Sequence, residues 1–314
     1  MHVAVAGGTG KLGRTLVEGF VADGRYEVVI LAREAGTEER EKELGARILS
    51  ANYGNVGDLT ELLVSNNIEI VISTIDLSTS NSAELNLIDA AERSSVTKRF
   101  IPNDWSLLYN DHFASYFPIA ATKKEIHDRI KKTKTLEHTL VHVGFFLDYW
   151  VIPGVPSYCF PMPLVVDMAN NAATIPGTGD RPVTFTYSKD VARMIPALLS
   201  LPKWEEHYFI IGDKLTWNEF VLTAEAVKGV KFDVAYDPLD KLLTGQVTEL
   251  PSQKLAYPII TKEKLQVLAS LFGRMCVEGV ADLKPAKPTE LLNELFPDIK
   301  VYSAKELLTK AWVL

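Results

Sequence analysis

The chain of 314 residues predicts an α/β fold in which a doubly wound parallel sheet is joined to a smaller, mainly helical α/β lobe. Up to about residue 145, short apolar runs alternate with amphipathic segments, which is typical of a parallel sheet covered by helices on both faces. From Trp150 onward the pattern changes, because prolines and evident turns such as Pro176–Asp180 interrupt the chain. We therefore expect a first domain over residues 1–149 and a smaller lobe over 150–314, with 183–203 returning to the first domain.

The individual elements follow from this alternation. Strands of the first domain are predicted at Val3–Ala6, Glu27–Leu31, Ala46–Leu49, Glu69–Ser73, Arg99–Ile101 and Thr139–Val143. Helices are predicted between them at Lys11–Ala22, Glu38–Leu44, Leu59–Ser65, Ala83–Ser94 and Ala120–Lys132. In the second part we expect a strand at Val183–Tyr187 that runs into a helix capped by Ser188. Further helices are expected at Trp217–Ala226, Lys262–Phe272, Thr289–Phe296 and Ala304–Ala311.

A glycine-rich segment, residues 7–13, lies between the first strand and the first helix. Glycines at its G-x-x-G-x-x-G spacing allow a tight turn, let a pyrophosphate approach the backbone and let the helix pack on the strand. The N–H groups at the start of the helix then face the phosphates. An ordinary tight turn is the alternative. The context favours a Rossmann-type dinucleotide site, with these cofactor-binding candidates: Gly7, Thr9, Gly10, Lys11, Leu12 and Gly13.

The end of the second strand indicates which nucleotide this site takes. A carboxylate there accepts the ribose hydroxyls of NAD(H), whereas an arginine pairs with the 2′-phosphate of NADP(H). Arg33 stands at this position, which favours NADP(H). Two alternatives stay open: Glu34 binds the ribose, or Arg33 pairs with the acidic run Glu38–Glu41. Ser73 and Thr74, which end the fourth strand, are either cofactor contacts or a plain strand end.

One lysine of the helix at 120–132 falls on the apolar face. With Ile119 at zero and about 100° per residue, Lys123 lies near 40°, between Ile126 near 340° and Ile130 near 20°. Lys124 falls near 140°, on the outward face. A buried lysine needs a partner or a lowered pKa, and either condition suits a group that handles protons. Lys123 is therefore the catalytic candidate, the alternative being a lysine that reaches past the edge of the helix to solvent.

Polar and aromatic residues follow the fifth and sixth strands. Asn103, Asp104 and Trp105 come after the fifth strand, at the expected rim of the site, although proline and asparagine also make ordinary turns. Phe146, after the sixth strand, is the candidate for packing on a nicotinamide ring, although such aromatics often belong to the core. Tyr149 begins an aromatic and proline-rich stretch that suggests an apolar substrate pocket, which core packing also explains. These four rim and pocket residues are the substrate-binding candidates: Asn103, Asp104, Trp105 and Tyr149.

The remaining histidine, cysteine and charge patterns exclude several classes of site. His142 has no acid or nucleophile at motif spacing, so we expect a core histidine whose hydrogen bonds are satisfied. The two cysteines, Cys159 and Cys276, lack disulfide or metal spacing, and no metal site is expected. A net charge of -7 argues against nucleic-acid and membrane partners. Because a strand begins at His2 and no apolar run has the length of a membrane span, we expect a cytoplasmic protein, monomeric or homodimeric.

These motifs together resemble a known family. The chain is similar to the atypical short-chain dehydrogenases that include isoflavone reductase, phenylcoumaran benzylic ether reductase and the NmrA-like proteins. The resemblance covers the chain to about residue 225 and depends on these segments: Gly7–Gly13, Leu31–Glu34, Lys98–Trp105, Thr122–Ile126, His138–Val141 and Tyr187–Ala192. It implies a Rossmann-type NADP(H) domain at 1–149, a substrate lobe at 150–314, NADPH as hydride donor and a helix lysine in proton transfer. Matching residue by residue assigns Lys123 as that lysine, which also binds the ribose, Arg33 as the phosphate-binding arginine and Phe146 as the nicotinamide-side aromatic.

Two departures from the family qualify its chemistry. The Tyr-x-x-x-Lys pair of the wider superfamily is absent, because Ile119 stands four residues before Lys123. Asn103-Asp104-Trp105 replaces a common Ser-Glu-Phe-Gly sequence, so the substrate differs from those of relatives. We expect an NADPH-dependent reductase of a small phenolic, aromatic or polyketide-like secondary metabolite. The alternatives are a non-catalytic NADP(H)-sensing regulator and an isomerase or lyase on the same fold.

Overall fold

The computed structural model describes residues 1–313, which form two compact units. The first unit comprises residues 1–142, 189–210 and 285–299. The second comprises residues 143–188, 211–284 and the described residues from 300 onward. Unlike the expected boundary at residue 149, the division falls after His142, and residues 285–299 group with the first unit. The segment expected to return to the first domain is itself divided, since its strand groups with the second unit and residues 189–210 with the first.

The elements alternate as the sequence predicts, and most bounds agree within a few residues. Through residue 142 they are β1 (His2–Ala6), α1 (Lys11–Asp23), β2 (Glu27–Ala32), α2 (Glu38–Leu44), β3 (Arg47–Ser50), α3 (Val56–Ser65), β4 (Ile70–Ser73), α4 (Ser82–Arg93), β5 (Arg99–Ile101), α5 (Asp111–Ala114), α6 (Pro118–Ile130), β6 (Glu137–His138) and β7 (Leu140–His142). Later residues add β8 (Phe145–Phe146), α7 (Asp148–Val151), β9 (Val166–Asp167), β10 (Ala172–Pro176), β11 (Pro182–Thr186), α8 (Ser188–Leu199), β12 (His207–Phe209), β13 (Asp213–Thr216), α9 (Trp217–Lys228), β14 (Asp233–Asp237), α10 (Leu239–Leu243), α11 (Lys262–Val277), α12 (Leu292–Leu295) and α13 (Ala304–Trp312). Short 3₁₀ helices lie at Pro251–Ala256 and Pro288–Glu290.

The first unit contains a six-stranded sheet of order β3-β2-β1-β4-β5-β6, in which every neighbouring pair is parallel. The chain moves outward from β1 through β2 and β3, and then fills the other side through β4, β5 and β6. The predicted α/β fold with a doubly wound parallel sheet is therefore confirmed. The reversal of strand order falls between β1 and β4, and open sheets of this kind bind ligands at the carboxyl ends of the strands at such a point.

Burial and local capping explain why these residues form these elements. The strands are apolar runs buried on both faces, as the residues of β1 from Val3 to Ala6 illustrate with no exposed surface. Helices α1 and α2 both end at a glycine in the left-handed conformation, Gly24 and Gly45. Thr37 caps the amino end of α2 by accepting a hydrogen bond from the Arg40 N–H. Local sequence thus sets where these helices begin and end.

The second unit is richer in strands than the sequence indicates. Its two three-stranded sheets have the orders β14-β10-β9 and β13-β11-β8, and most of these strands were not predicted. A cluster of edge-to-face and tilted aromatic rings forms its core: Trp150, Phe185, Trp217 and Phe220. The single helix predicted at Thr289–Phe296, which belongs to the first unit, is instead the 3₁₀ turn Pro288–Glu290 followed by α12. Among the described helices, none has both the length and the apolar character that a membrane crossing requires.

Candidate active site

The glycine segment turns tightly between β1 and α1, where added side chains would overlap the backbone. Gly7 has a φ of +73°, and its N–H donates to the Leu31 carbonyl at 3.0 Å. A Cβ on Gly13 would overlap the Gly7 carbonyl oxygen and lie 2.6 Å from Thr74 Oγ1. Helix α1 starts directly after Gly10, which provides no side-chain cap. Gly7 and Gly13, two of the predicted cofactor residues, therefore have no room for a side chain, whereas Gly10 has an ordinary φ of -80° and would meet only the Gly7 carbonyl oxygen, at 3.1 Å.

The other members of the predicted glycine cradle, residues 7–13, differ in exposure. Thr9 and Lys11 are exposed, and Leu12 is half-buried at the start of α1. Thr74 joins β4 to β1, because its N–H and its hydroxyl both donate to the Ala6 carbonyl at 2.8 Å. Four predicted cofactor residues therefore lie around the amino end of α1, where the sequence places a cofactor: Thr9, Lys11, Leu12 and Thr74.

Ser73, the neighbouring cofactor candidate, faces the interior. It is fully buried, and its hydroxyl donates to the Glu84 carboxylate. Burial raises the pKa of Glu84 to about 7, although hydrogen bonds from Ser73 and the Asn103 N–H oppose the rise. The Ser73 hydroxyl is therefore not exposed to a cofactor, contrary to the predicted role of Ser73 as a cofactor contact.

Arg33 is exposed after the end of β2, and Glu34 beside it is exposed as well. Within residues 1–313, no carboxylate lies at ion-pair distance from Arg33, so the alternative of pairing with the acidic run is not realised. That run makes other bonds, since Glu41 accepts the Ile48 N–H at 2.7 Å and Arg40 pairs with Glu43. The Arg33 guanidinium thus remains available for an anion at the position where a 2′-phosphate is expected.

Lys123 lies on the buried face of α6, as the helical positions predict. Only 6% of the residue is exposed, whereas Lys124 beside it is exposed. Its Nζ donates to Ser106 Oγ at 2.5 Å and lies 3.4 Å from Asp104 Oδ1. Burial lowers the pKa of Lys123, while the Asp104 carboxylate acts to raise it. The predicted burial of Lys123 is confirmed, and its partner is an aspartate that the sequence assigned to substrate binding.

The segment after β5 brings Asp104 and Ser106 to Lys123. Ser106 forms a parallel bridge with His142, so the segment continues beside β7. The Asn103 amide donates to the Ile75 carbonyl at 2.5 Å, and the Trp105 indole N–H donates to the Ser73 carbonyl at 2.8 Å. Trp105 is 5% exposed and Asp104 is 1% exposed. Two of the predicted substrate contacts, Asp104 and Trp105, are thus buried, and Asn103 is tied to the backbone after β4.

Asp104 is the centre of a buried charge cluster. Its Oδ2 lies 3.2 Å from His127 Nε2 and 3.4 Å from His142 Nδ1, and its Oδ1 faces Lys123. Burial alone would raise the pKa of Asp104, but the Lys123 charge and the two histidines outweigh it and hold the value at about 2. The Asp104 carboxylate is therefore ionised near neutral pH.

His142 differs from the expected core histidine, because it faces an acid and another histidine. Its ring is fully buried, and its Nε2 lies 2.9 Å from His207 Nδ1. The acid that the sequence did not reveal is Asp104. His127 and Ser106 were also missed, although His127 stands four residues after Lys123 and therefore on the same helical face.

A cavity of about 230 Å³ opens beside this cluster within the first unit. Side chains of both polarities line it, among them Tyr109, Ala120, Lys123, His127, Lys131 and His207. The Lys123 ammonium lies 5.7 Å from the centre of the Tyr109 ring. The cavity thus gives Lys123 a route to small molecules and water from within the first unit.

Phe146 and Tyr149, the remaining candidates, belong to the second unit. Phe146 ends β8 and is half-buried, and its ring packs edge-on against Tyr149 with centroids 6.2 Å apart. Both roles, nicotinamide packing for Phe146 and substrate contact for Tyr149, stay predictions.

Comparisons with known proteins bear on this site and its fold. The model of the NmrA-like family matches residues 1–302. The oxidoreductase BOA1 of Botryotinia fuckeliana is 30% identical over 95% of both chains. The oxidoreductase swnN of Metarhizium robertsii is 28% identical over 99% of this chain and 97% of its own.

Two solved structures share the fold. AtPrR2 with NADP+ and (+)pinoresinol has a TM-score of 0.74 and 22% identity, covering 98% of this chain and 97% of its own. The ternary complex of leucoanthocyanidin reductase from Vitis vinifera has a TM-score of 0.75 and 17% identity over the full length of both chains. At these identities the likeness concerns the fold.

Proposed function

The chain belongs to the NmrA-like family, and we propose that it uses NADPH to reduce a small phenolic, aromatic or polyketide-like metabolite. Its relatives BOA1 and swnN are oxidoreductases, and this chain is an oxidoreductase as well. NADP(H) is its cofactor, in agreement with the NADP+ and NADPH complexes of proteins that share its fold. The substrate class and the role of Lys123 are our inference from the site.

The residues of the first unit fit this cofactor. The glycine cradle leaves room at the amino end of α1, where N–H groups favour a pyrophosphate. Arg33 has no competing carboxylate among the described residues and is suited to a 2′-phosphate. When bound, NADPH supplies a hydride. The protein must then supply orientation and a proton.

The observation that carries the proposal is the buried ion pair of Lys123 and Asp104. Because Asp104 stays ionised, Lys123 is held as an ammonium beside it, with Nζ and Oδ1 3.4 Å apart. Burial lowers the pKa of this ammonium, which makes it a stronger acid than a lysine in water. Reduction of a carbonyl, an imine or a conjugated carbon requires a proton, so an acid is the group that this chemistry needs.

The neighbours of Lys123 orient that proton. Ser106 accepts one N–H of the ammonium at 2.5 Å, and Asp104 attracts it from another side. In the proposed step Lys123 gives a proton from Nζ to an oxygen or nitrogen of the substrate and becomes a neutral amine. Asp104 is then a positioning residue and not a substrate contact. In the wider superfamily a tyrosine stands four residues before the helix lysine. In α6 this position is Ile119, so α6 offers no tyrosine to donate the proton.

The substrate class is supported by the neighbours and by the lining of the cavity. AtPrR2 was solved with pinoresinol. In this chain the aromatic ring of Tyr109 lines the same cavity as Lys123. An aromatic ring can stack there while a polar group of the substrate reaches the ammonium.

The test is a screen of purified protein against phenolic, imine and polyketide-like compounds, followed by nicotinamide absorbance. Lys123→Met should lower kcat by at least about 100-fold, as for loss of a general acid, while NADPH binding measured by calorimetry persists. Lys124→Met, one residue away on the exposed face, is the matched control and should retain activity. Wild-type turnover by Lys123→Met would overturn the assignment. NADPH binding without any turnover would instead indicate a regulator, and product without nicotinamide oxidation an isomerase or lyase.

A further inference from the structure

Glu84 is a buried carboxyl group of the first unit that the proposed step does not use. It lies in the first turn of α4 and has no exposed surface. Its Oε1 accepts the Asn103 N–H at 3.0 Å, and its Oε2 accepts the Ser73 hydroxyl. A buried carboxyl group destabilises a fold unless hydrogen bonds replace those to water. Here the replacing bonds join α4 to the end of β4 and to the segment that follows β5.

Alternate residues of the segment after β5 are bonded to the region around the end of β4. The Asn103 N–H donates to Glu84, and the Asn103 side-chain amide donates to the Ile75 carbonyl at 2.5 Å. The Trp105 indole N–H donates to the Ser73 carbonyl at 2.8 Å. The side chains of both residues are therefore held on the β4 side of the segment.

The residues that follow each of these anchors contact Lys123. Asp104 Oδ1 lies 3.4 Å from Lys123 Nζ, and Ser106 Oγ accepts an N–H of the ammonium at 2.5 Å. Two tight turns stiffen the backbone here, since the Asp104 N–H donates to the Pro102 carbonyl at 2.8 Å and the Ser106 N–H to the Asp104 carbonyl at 2.5 Å. Because Asp104 follows directly on Asn103, the point at which Asn103 is held sets where the Asp104 carboxylate lies.

We propose that Glu84 is a positioning residue of the reduction, which holds residues 103–106 so that Asp104 and Ser106 contact Lys123, and whose negative charge favours the ammonium form of Lys123. The inference rests on the proposed function, because Lys123 is the proton donor there. In this role Glu84 acts through other residues: on the segment by its hydrogen bond to Asn103, and on Lys123 by its charge.

The hydrogen bond to Asn103 is available in both protonation states of Glu84. An N–H already faces Oε1, so an added proton goes to Oε2, beside the Ser73 hydroxyl, which can accept as well as donate. The neutral carboxyl group keeps Oε1 as an acceptor for the Asn103 N–H. Positioning of the segment therefore does not depend on the charge of Glu84, and the two effects can be tested separately.

The charge of Glu84 changes near neutral pH. Burial raises the pKa of Glu84 to about 7, against its two hydrogen bonds and the charge of Lys123. Among the described residues, the titratable groups that face Glu84 are Lys123 from α6 and Tyr53 from the segment after β3. Asp104, whose pKa is about 2, keeps its charge over this range. Ionisation of Glu84 thus adds a second carboxylate that raises the pKa of Lys123, against the effect of burial.

Nuclear magnetic resonance of protein labelled with 13C-lysine tests the charge without any substrate. The Lys123 signal, assigned by its absence in Lys123→Arg, should show an inflection near pH 7 in the wild type, where Glu84 ionises. In Glu84→Gln this inflection should vanish and the pKa of Lys123 should fall by about half a pH unit or more, with Lys124 unchanged. If the variant does not fold, the wild-type inflection decides. A wild-type signal without it, or the same Lys123 pKa in both proteins, would overturn the inference even if the protein proves to be a reductase.

Single-turnover kinetics test the positioning once a substrate is known. Glu84→Gln keeps an oxygen acceptor for the Asn103 N–H, so its rate should stay within about threefold of the wild type. Glu84→Met leaves this N–H unpaired and should lower the rate about tenfold or more, with the Kd for NADPH unchanged in calorimetry. Glu92→Met is the matched control on the same helix and should keep the wild-type rate. Glu92 also accepts backbone N–H groups, those of Lys134 at 2.8 Å and Thr135 at 3.2 Å, but they lie outside the segment 103–106.

The pH profile adds a readout that a purely structural role would not change. Ionised Glu84 makes the Lys123 ammonium a weaker acid, so the wild-type rate should fall as pH rises through about 7, and Glu84→Gln should lack this step. A Glu84→Met enzyme with the wild-type rate, or a Glu84→Gln enzyme with the wild-type pH profile, would refute the role of Glu84. Loss of turnover in Lys123→Met would still support the proposed function.

Discussion

Two buried groups, Glu84 and His142, make opposing contributions to the pH dependence of the unfolding free energy between about pH 4.5 and 6.5. Burial raises the pKa of Glu84 from 4.5 to about 7, so the folded state binds this proton more tightly than the unfolded state. The contribution of Glu84 to stability is therefore lost as pH rises from 4.5 to about 7. The shift corresponds to about 3 kcal/mol, at about 1.4 kcal/mol for each pH unit.

His142 acts in the opposite direction. Burial lowers its pKa from 6.5 to about 4, so the unfolded chain binds a proton before the folded protein does. The contribution of His142 to stability is fully present above its unfolded pKa of 6.5 and is lost as pH falls toward the folded value of about 4. This second contribution is also about 3 kcal/mol, and over the shared range the two cancel.

Single substitutions should separate the two contributions. Glu84→Gln can still accept the Asn103 N–H but binds no proton, so the free energy of unfolding should increase by about 3 kcal/mol from pH 4 to 6.5, from His142 alone. His142→Gln should show the reverse, a loss of about 3 kcal/mol from pH 4.5 to 7. The test compares how the free energy of unfolding changes with pH. A loss of stability that is the same at every pH shifts the whole curve but does not change its slope.

The assay is urea unfolding at a series of pH values, followed by the fluorescence of the five tryptophans. Glu61→Gln, exposed on α3, is the matched control, and its curve should run parallel to that of the wild type. Curves of Glu84→Gln and wild type that stay parallel from pH 4 to 7 would refute the reasoning about the buried carboxyl.

Three further substitutions test the cofactor cradle and the ion pair. Arg33→Ala should weaken NADPH binding about 10- to 100-fold and NADH binding much less, measured by calorimetry, and equal losses would contradict the 2′-phosphate role. Gly13→Ala should abolish NADPH binding because its Cβ overlaps a backbone oxygen, whereas Gly54→Ala, with its nearest atom at 3.4 Å, should bind normally. Asp104→Leu alone should cost about 3–5 kcal/mol of unfolding free energy, but together with Lys123→Met about 1 kcal/mol or less. A double variant as unstable as the single one would show that the charge is not the cause.

The sequence predicted the first unit well because its signals are local. The strand Arg99–Ile101 and the helix Glu38–Leu44 have the predicted bounds, since apolar runs and a capping threonine mark them. The strands Ala172–Pro176 and Asp233–Asp237 were missed. They pair with each other in parallel although a long stretch of chain separates them, and Asp233–Asp237 is only partly buried and lacks an apolar run.

Where a helix sets the direction of a side chain, the sequence predicted its burial correctly. Lys123 was placed correctly because a helix has a fixed angle per residue. Asp104 was assigned to the substrate because no periodicity tells which way a side chain points in the segment after β5. Its actual direction depends on the bridge between Ser106 and His142, a contact between distant parts of the chain. The same contact explains why His142 seemed to lack an acid.

The buried cluster is better explained by chemistry than by stability. Replacing a buried ion pair with well-packed apolar residues is often neutral or stabilising, so the Lys123–Asp104 pair adds little to the folding free energy. What it does provide is an ammonium whose acidity is set by two opposing effects. Burial favours release of the proton, whereas release leaves Asp104 negative and uncompensated in the interior. The Lys123 proton is therefore held by Asp104 and made acidic by burial, which is the combination that a group donating a proton to a substrate requires.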